Sequence, residues 1–162
     1  TDRSRGLGDV YKRQLKEFWG VKHRIEFVRD LQGVLYYNDS KATNPDAAIR
    51  GIGSMNRKTL LIGGGYDKNL EFDAWIESFD GKVKCLLLIG QTKDKIAVCA
   101  RKHGFENIVC CDTLNEAVNI CYRLAKPGEA VLLSPACASW GDFKDYTQRG
   151  ELFRQYVMEL PE

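Results

Sequence analysis

Apolar and polar positions along the chain alternate between two periods, one of strands and one of helices. From Arg24 to Asp30, Ile25 and Phe27 alternate with polar neighbours such as Glu26 and Arg29. Leu31-Gln32-Gly33 then turns the chain into Val34–Asn38, a pattern that predicts an antiparallel hairpin. A polar stretch, N-D-S-K-A-T-N-P-D-A-A (Asn38–Ala48), leads into helical spacing that runs to about Met55, with Asn44 as cap and Pro45 at the first helical position. Lys58–Ile62 reads as a short buried strand, ending in Gly63-Gly64-Gly65-Tyr66-Asp67-Lys68. Phe72, Trp75, Ile76 and Phe79 have helical spacing. Val83–Ile89 is the most apolar run and predicts a central parallel strand.

Gly90 ends that strand, and Asp94–His103 reads as a helix closed by Gly104. Ile108–Cys111 predicts a strand, and Thr113 begins a capping box, T-L-N-E, for a helix through Leu124. After Pro127-Gly128, Ala130–Leu133 is the last strand, followed by S-P-A-C-A-S (Ser134–Ser139). A helix is expected from about Phe143 to Leu160, with Gly150 as its weak point. Strands alternating with helices predict an α/β, Rossmann-like three-layer domain. Its sheet has about six mostly parallel strands and an N-terminal antiparallel hairpin. Right-handed crossovers then bring Asn38–Thr43, Gly63–Lys68, Gly90–Lys93 and Ser134–Ser139 to one edge of the sheet.

Length and composition agree with one domain. The chain has 162 residues, 44% hydrophobic and 28% charged. Residues 1–14 are polar, basic and aperiodic, and read as a disordered tail or as foreign sequence joined to a domain at 15–162. A net charge of +2 with scattered basic residues gives no case for nucleic acid. No apolar run is long enough to span a membrane and no secretory signal is visible, so a cytoplasmic location is expected. Six cysteines without a C-x-x-C, beside two histidines, argue against zinc, and no metal ligand is assigned. Cys137 reads as structural.

The chemistry on the shared edge comes from Lys41, Thr43, Lys68 and Ser139, two cations and two hydroxyls that suit a small ligand with two separated anionic groups. Neither G-x-x-x-x-G-K-[ST] nor a helix-opening G-x-G-x-x-G occurs. Ser139 lacks the context of a nucleophilic serine. The residues by themselves reach an anion-binding α/β domain. A dinucleotide-binding module and a non-catalytic structural domain stay open beside it.

H-R-I-E-F-V, N-D-S-K-A-T-N-P-D-A, G-G-G-Y-D-K, L-L-S-P-A-C-A-S and F-K-D-Y-x-x-R-G, in this order, resemble the carboxyl-terminal domain of the Mur ligases, over about Leu15–Leu160. The D-glutamate-adding members are the nearest. Other Mur ligases and folylpolyglutamate-type ligases are the alternatives. The resemblance implies an ATP-dependent amide ligase of peptidoglycan synthesis, monomeric, whose ATP and Mg are held mainly by a separate P-loop domain. UDP-N-acetylmuramoyl-L-alanine would be held outside this domain. It further implies that Lys68 and Thr43 hold the α-carboxylate of D-glutamate. Ser139 and the backbone N–H of Tyr146 would hold the γ-carboxylate. Arg24, Asp39 and Lys41 would face the nucleotide, with Asp39 towards the ribose and Lys41 towards the phosphates as the catalytic cation.

Overall fold

The computed structural model describes residues 22–162. The expected tail at 1–14 lies outside them. Among the described residues six strands form one sheet: β1 (Glu26–Leu31), β2 (Val34–Asn38), β3 (Thr59–Gly63), β4 (Val83–Leu88), β5 (Ile108–Cys110) and β6 (Ala130–Leu133), in the spatial order β1-β2-β6-β3-β4-β5. Only the β1–β2 pair is antiparallel. Its two-residue turn places Gln32 (φ 54°) and Gly33 (φ 86°) in the left-handed region, the conformation whose twist matches a hairpin.

Among the described residues the helices are α1 (Pro45–Gly53), α2 (Asp73–Glu77), α3 (Lys93–Lys102), α4 (Leu114–Leu124) and α5 (Tyr146–Met158). Their starts follow side-chain chemistry. Asn44 accepts from the N–H of Ala47, Thr113 from that of Glu116, and Asp145 from that of Gln148, each satisfying a donor the helix cannot. Gly104, at φ 82°, follows α3 as expected. The helix expected over Phe143–Leu160 occupies the shorter span of α5, and Gly150 does not interrupt it.

Strand alternation sorts the apolar residues into two cores, one on each face. Tyr37, Leu61, Leu86, Leu88 and Leu132 pack with Ile52 of α1, Trp75 and Ile76 of α2, and Ile96 and Ala100 of α3. Tyr36, Leu60, Ile62, Leu87, Val131 and Leu133 pack with Val118 and Cys121 of α4 and Phe153 and Val157 of α5. The result is three layers. It also positions the site. β6 is flanked by β2 and β3, whose following helices lie on one face, while the helix after β6 lies on the other. Loops therefore diverge around the end of β6, where open α/β sheets place ligands.

Candidate functional site

The first loop, after β2, is held to the end of β6. The N–H of Asp39 donates to Leu133 O at 2.7 Å, extending the ladder. Its Oδ1 accepts from the N–H of Ile25 at 3.1 Å and its Oδ2 from Ser134 Oγ at 2.7 Å. Burial pushes the Asp39 carboxyl up to about 7, against the pull of these two hydrogen bonds and of Arg24 and Arg50. A Cβ on Gly51 of α1 would lie 2.6 Å from Asp39 Oδ2, so the helix can cross this pair only with glycine there.

Ser40 is joined to the fourth loop by Arg149, a residue that sequence reasoning gave no role. Arg149 is fully buried. Its Nε donates to Ser40 Oγ at 2.9 Å, Nη2 to Ser40 O at 2.6 Å and Nη1 to Cys137 O at 3.0 Å, while Ser40 Oγ donates to Tyr146 O at 2.7 Å. Desolvation lowers its pKa to about 10, which still leaves the guanidinium charged. One planar fork thus fixes the loops carrying Lys41, Thr43 and Ser139, and the start of α5 at Tyr146, relative to each other. The one available signal was the arginine in F-K-D-Y-x-x-R-G. His23 and Asn38 add a second buried pair. Asn38 Oδ1 accepts from the N–H of Ser40, so its amide nitrogen faces His23 Nδ1 at 2.8 Å. His23 is accordingly a neutral acceptor at Nδ1, and burial lowers its pKa.

The glycine loop is wedged rather than flexible. Gly64 N–H donates to Pro135 O, Gly65 N–H to Thr92 Oγ1 and Tyr66 N–H to Ala138 O, at 2.9–3.0 Å. Gly64 (φ 99°) touches Ile89 O where a Cβ would stand, and a Cβ on Gly65 would meet Ala138 O at 2.5 Å. The loop presents Lys68, exposed, with Nζ 4.6 Å from the ring centroid of Trp140. Trp140 in turn lies 5.5 Å from the Tyr66 ring. This aromatic ledge was not foreseen. Cys137 Sγ is buried 3.5 Å from Thr92 Oγ1, and burial pushes its thiol up to about 11, as an inert structural cysteine requires.

Three of the predicted residues share one site. Arg24, Asp39 and Lys41 line one surface cleft of about 280 Å³, together with Arg50 of α1 and Ser54 just after it. Arg50 was not predicted. None of Thr43, Lys68, Ser139 or Tyr146 lines that cleft. Thr43 is half-buried on the first loop and Ser139 is buried. The Lys68 and Ser139 loops abut through the Tyr66–Ala138 bridge. Tyr146 opens α5 against Ser40.

The family described as "Mur ligase, glutamate ligase domain" matches residues 23–137. The chain belongs to this family. Over 152 residues it is 57% identical to the UDP-N-acetylmuramoylalanine–D-glutamate ligase of Lachnoclostridium phytofermentans, covering 94% of this chain and 34% of that protein. The ligase of the same name from Lachnospira eligens is 54% identical with the same coverage. The chain thus spans about a third of the length of these curated relatives. Among solved structures, UDP-N-acetylmuramate-alanine ligase from Thermotoga maritima superposes with a TM-score of 0.59 at 14% identity, over 90% of this chain and 32% of that one. Folylpolyglutamate synthase from Mycobacterium tuberculosis, complexed with ADP, gives 0.59 at 13% identity, over 88% and 33%. Both show the shared fold of this Mur ligase domain. Membership sets aside the dinucleotide-binding module, whose phosphate-binding glycine pattern the chain lacks.

Proposed function

We propose that this chain is the amino-acid-binding domain of an ATP-dependent ligase. The ligase adds D-glutamate to UDP-N-acetylmuramoyl-L-alanine, in the cytoplasm, during peptidoglycan synthesis. The observation that carries the reading is the placement of Lys68. A cation is held over Trp140 on a rigid loop that abuts the loop of Ser139. A dicarboxylate acceptor needs two anion sites at fixed separation. Lys68 and Thr43 supply one for the α-carboxylate, and Ser139 with the Tyr146 N–H at the start of α5 supplies the other for the γ-carboxylate. The identity of this chain to relatives named D-glutamate ligases favours that acceptor.

ATP supplies the phosphoryl group that activates the carboxylate of the second substrate. The cleft lined by Arg24, Lys41 and Arg50 suits a polyphosphate by charge. Asp39, the one carboxylate in it, has one lone pair on each oxygen engaged, and each keeps a second that can accept from a ribose hydroxyl. Mg is assigned to the P-loop domain, because a single buried carboxylate suits it poorly. This domain's contribution to the chemistry is orientation and charge neutralisation. It holds the glutamate amine over the face of the activated carbonyl, where addition gives a tetrahedral intermediate that expels phosphate, and brings Lys41 to the charge that develops on that phosphate.

The test is product formation by a three-domain enzyme, this domain joined to a P-loop ATPase domain and a UDP-sugar-binding domain, with D-glutamate, L-glutamate, L-alanine and diaminopimelate offered in turn. Preference for D-glutamate by at least tenfold in kcat/KM is expected. Preference for another acceptor, or glutamate addition to a folate instead, would replace this reading with that of a sister ligase.

A further inference from the structure

A second cluster of chemically capable side chains lies away from the ligand loops. Asp73 and Glu77 are the first and last residues of α2, four apart and therefore on one face. Cys99, in the last turn of α3, and His103, which follows its end, are also four apart. Asp73 Oδ1 lies 2.7 Å from His103 Nε2, and ligand atoms of Asp73, Cys99 and His103 all fall within 4.8 Å of one another. Among the described residues this is the one such group. His103 Nδ1 stands 3.7 Å from Glu77 Oε1. His103 and Glu77 border a surface cleft with Gly81 and Val83, at the amino end of β4. That end of the sheet is opposite the edge carrying the Lys41, Lys68 and Ser139 loops.

We propose that Asp73, Cys99 and His103 bind a zinc ion, with Glu77 orienting His103. The donor set selects the metal. One thiolate, one imidazole and one carboxylate suit zinc, whereas magnesium and calcium prefer all-oxygen shells. Ordinary zinc bond lengths of about 2.0–2.3 Å put tetrahedral ligands about 3.3–3.6 Å apart. The Asp73–His103 contact must open by about half an ångström and the widest separation close by about one, movements within the reach of side chains at a helix surface. Once the 3.7 Å gap closes to a hydrogen bond, the Glu77 carboxylate accepts from Nδ1–H and leaves Nε2 as the free lone pair aimed at Asp73 and the metal. On binding, the Cys99 thiol releases its proton to solvent. Water completes the fourth position, reached from the cleft.

Lys102 is the resident competitor. Its Nζ lies 2.9 Å from Asp73 Oδ1, and its side chain is 65% exposed, free to swing into water when a divalent ion takes the carboxylate. Sequence spacing argues against zinc because it looks for C-x-x-C. Here one ligand, Asp73, stands on α2 and the other two, Cys99 and His103, stand four residues apart at the end of α3, united only by the packing of α2 on α3. The ion would clamp α2, a five-residue helix whose N-cap residue Phe72 makes no side-chain cap bond, to the end of α3. The site stands independently of the ligase reading.

The experiment is titration of the metal-free chain with cobalt(II) chloride, then with zinc chloride. One equivalent of cobalt should produce a near-ultraviolet thiolate-to-metal band, and one equivalent of zinc should abolish it. Cys99→Ser should remove the band. Asp73→Asn and His103→Gln should weaken zinc binding tenfold or more. Cys110→Ser, which changes an exposed thiol on β5, should leave band and affinity intact. Lys102→Ala should tighten zinc binding by removing the competing ammonium, an effect that no adventitious site predicts. The proposal is overturned by absence of the band, by its persistence in Cys99→Ser, or by its loss in Cys110→Ser. Should Cys99→Ser fail to fold by circular dichroism, unchanged zinc affinity in Asp73→Asn and His103→Gln overturns it equally.

Discussion

At the scale of single residues, Lys68 is positioned by an aromatic face, which leaves its charge available to a ligand. A hydrogen bond to a charged group contributes about 1.5–3 kcal/mol. In the three-domain enzyme Lys68→Ala should therefore raise KM for D-glutamate roughly ten- to hundredfold while leaving KM for ATP nearly unchanged. Ser139→Ala removes a neutral donor and should cost on the order of 1 kcal/mol. Lys41→Ala should hurt the nucleotide-dependent step more than glutamate binding. Steady-state kinetics with each substrate varied in turn checks all three, and a raised KM for ATP in Lys68→Ala would reverse the assignment of the two lysines. Asp39 offers a different test. Its carboxyl titrates at about 7 in the fold against an ordinary 3.8, so the folded state binds more protons than the unfolded state between those values. The contribution of Asp39 is fully present below pH 3.8 and is lost as pH rises through about 7. His23 works in the opposite sense, with stability present above its ordinary 6.5 and lost on acidification, because its pKa is lowered. Comparing wild type with Asp39→Asn isolates the first term. Urea unfolding should find the variant gaining stability relative to wild type from pH 4 to pH 8, and parallel profiles would refute the shift.

Glycines show how far an element's own preferences decide its fate. Gly53 and Gly150 both lie in helices, and propensity alone treats both as defects worth about 1 kcal/mol against alanine. Their surroundings separate them. A Cβ at Gly53 meets nothing within 4 Å, whereas one at Gly150 runs into His23 Nδ1 and lies 3.0 Å from Asn38 Nδ2. Gly150 is the point where α5 closes over the buried His23–Asn38 pair. Gly53→Ala should raise stability by up to about 1 kcal/mol. Gly150→Ala should lower it by about 1–3 kcal/mol through overpacking, despite its better helix propensity. Thermal melts of the two variants settle the comparison, and stabilisation by Gly150→Ala would show that the contact relaxes freely. Arg29 of β1 fastens the other end of α5. Its Nη1 donates to Val157 O at 2.9 Å and Leu160 O at 3.0 Å, where a helix end favours positive charge.

For the whole molecule, the chain carries no G-x-x-x-x-G-K-[ST], the pattern whose amides and lysine cradle the β- and γ-phosphates, so the chain by itself should neither hydrolyse ATP nor form an amide. Turnover by the purified chain would contradict this directly. The division between sequence and tertiary structure follows range. Element order, the hairpin, the helix caps at Asn44 and Thr113 and the loops on one edge were legible, because each rests on local periodicity or side-chain-to-backbone bonds a few residues long. The polar residues of the N-D-S-K-A-T-N and G-G-G-Y-D-K loops were legible for the same reason. What only the tertiary structure decided were pairings across long stretches of chain. Arg149 reaches back to Ser40, Ser134 to Asp39, Trp140 lies under Lys68, Arg50 completes a cleft with Arg24, and Cys99 and His103 meet Asp73. No periodicity encodes such contacts. They arise when a parallel sheet with β6 inserted between β2 and β3 brings distant loops to one edge and packs helices from different crossovers side by side.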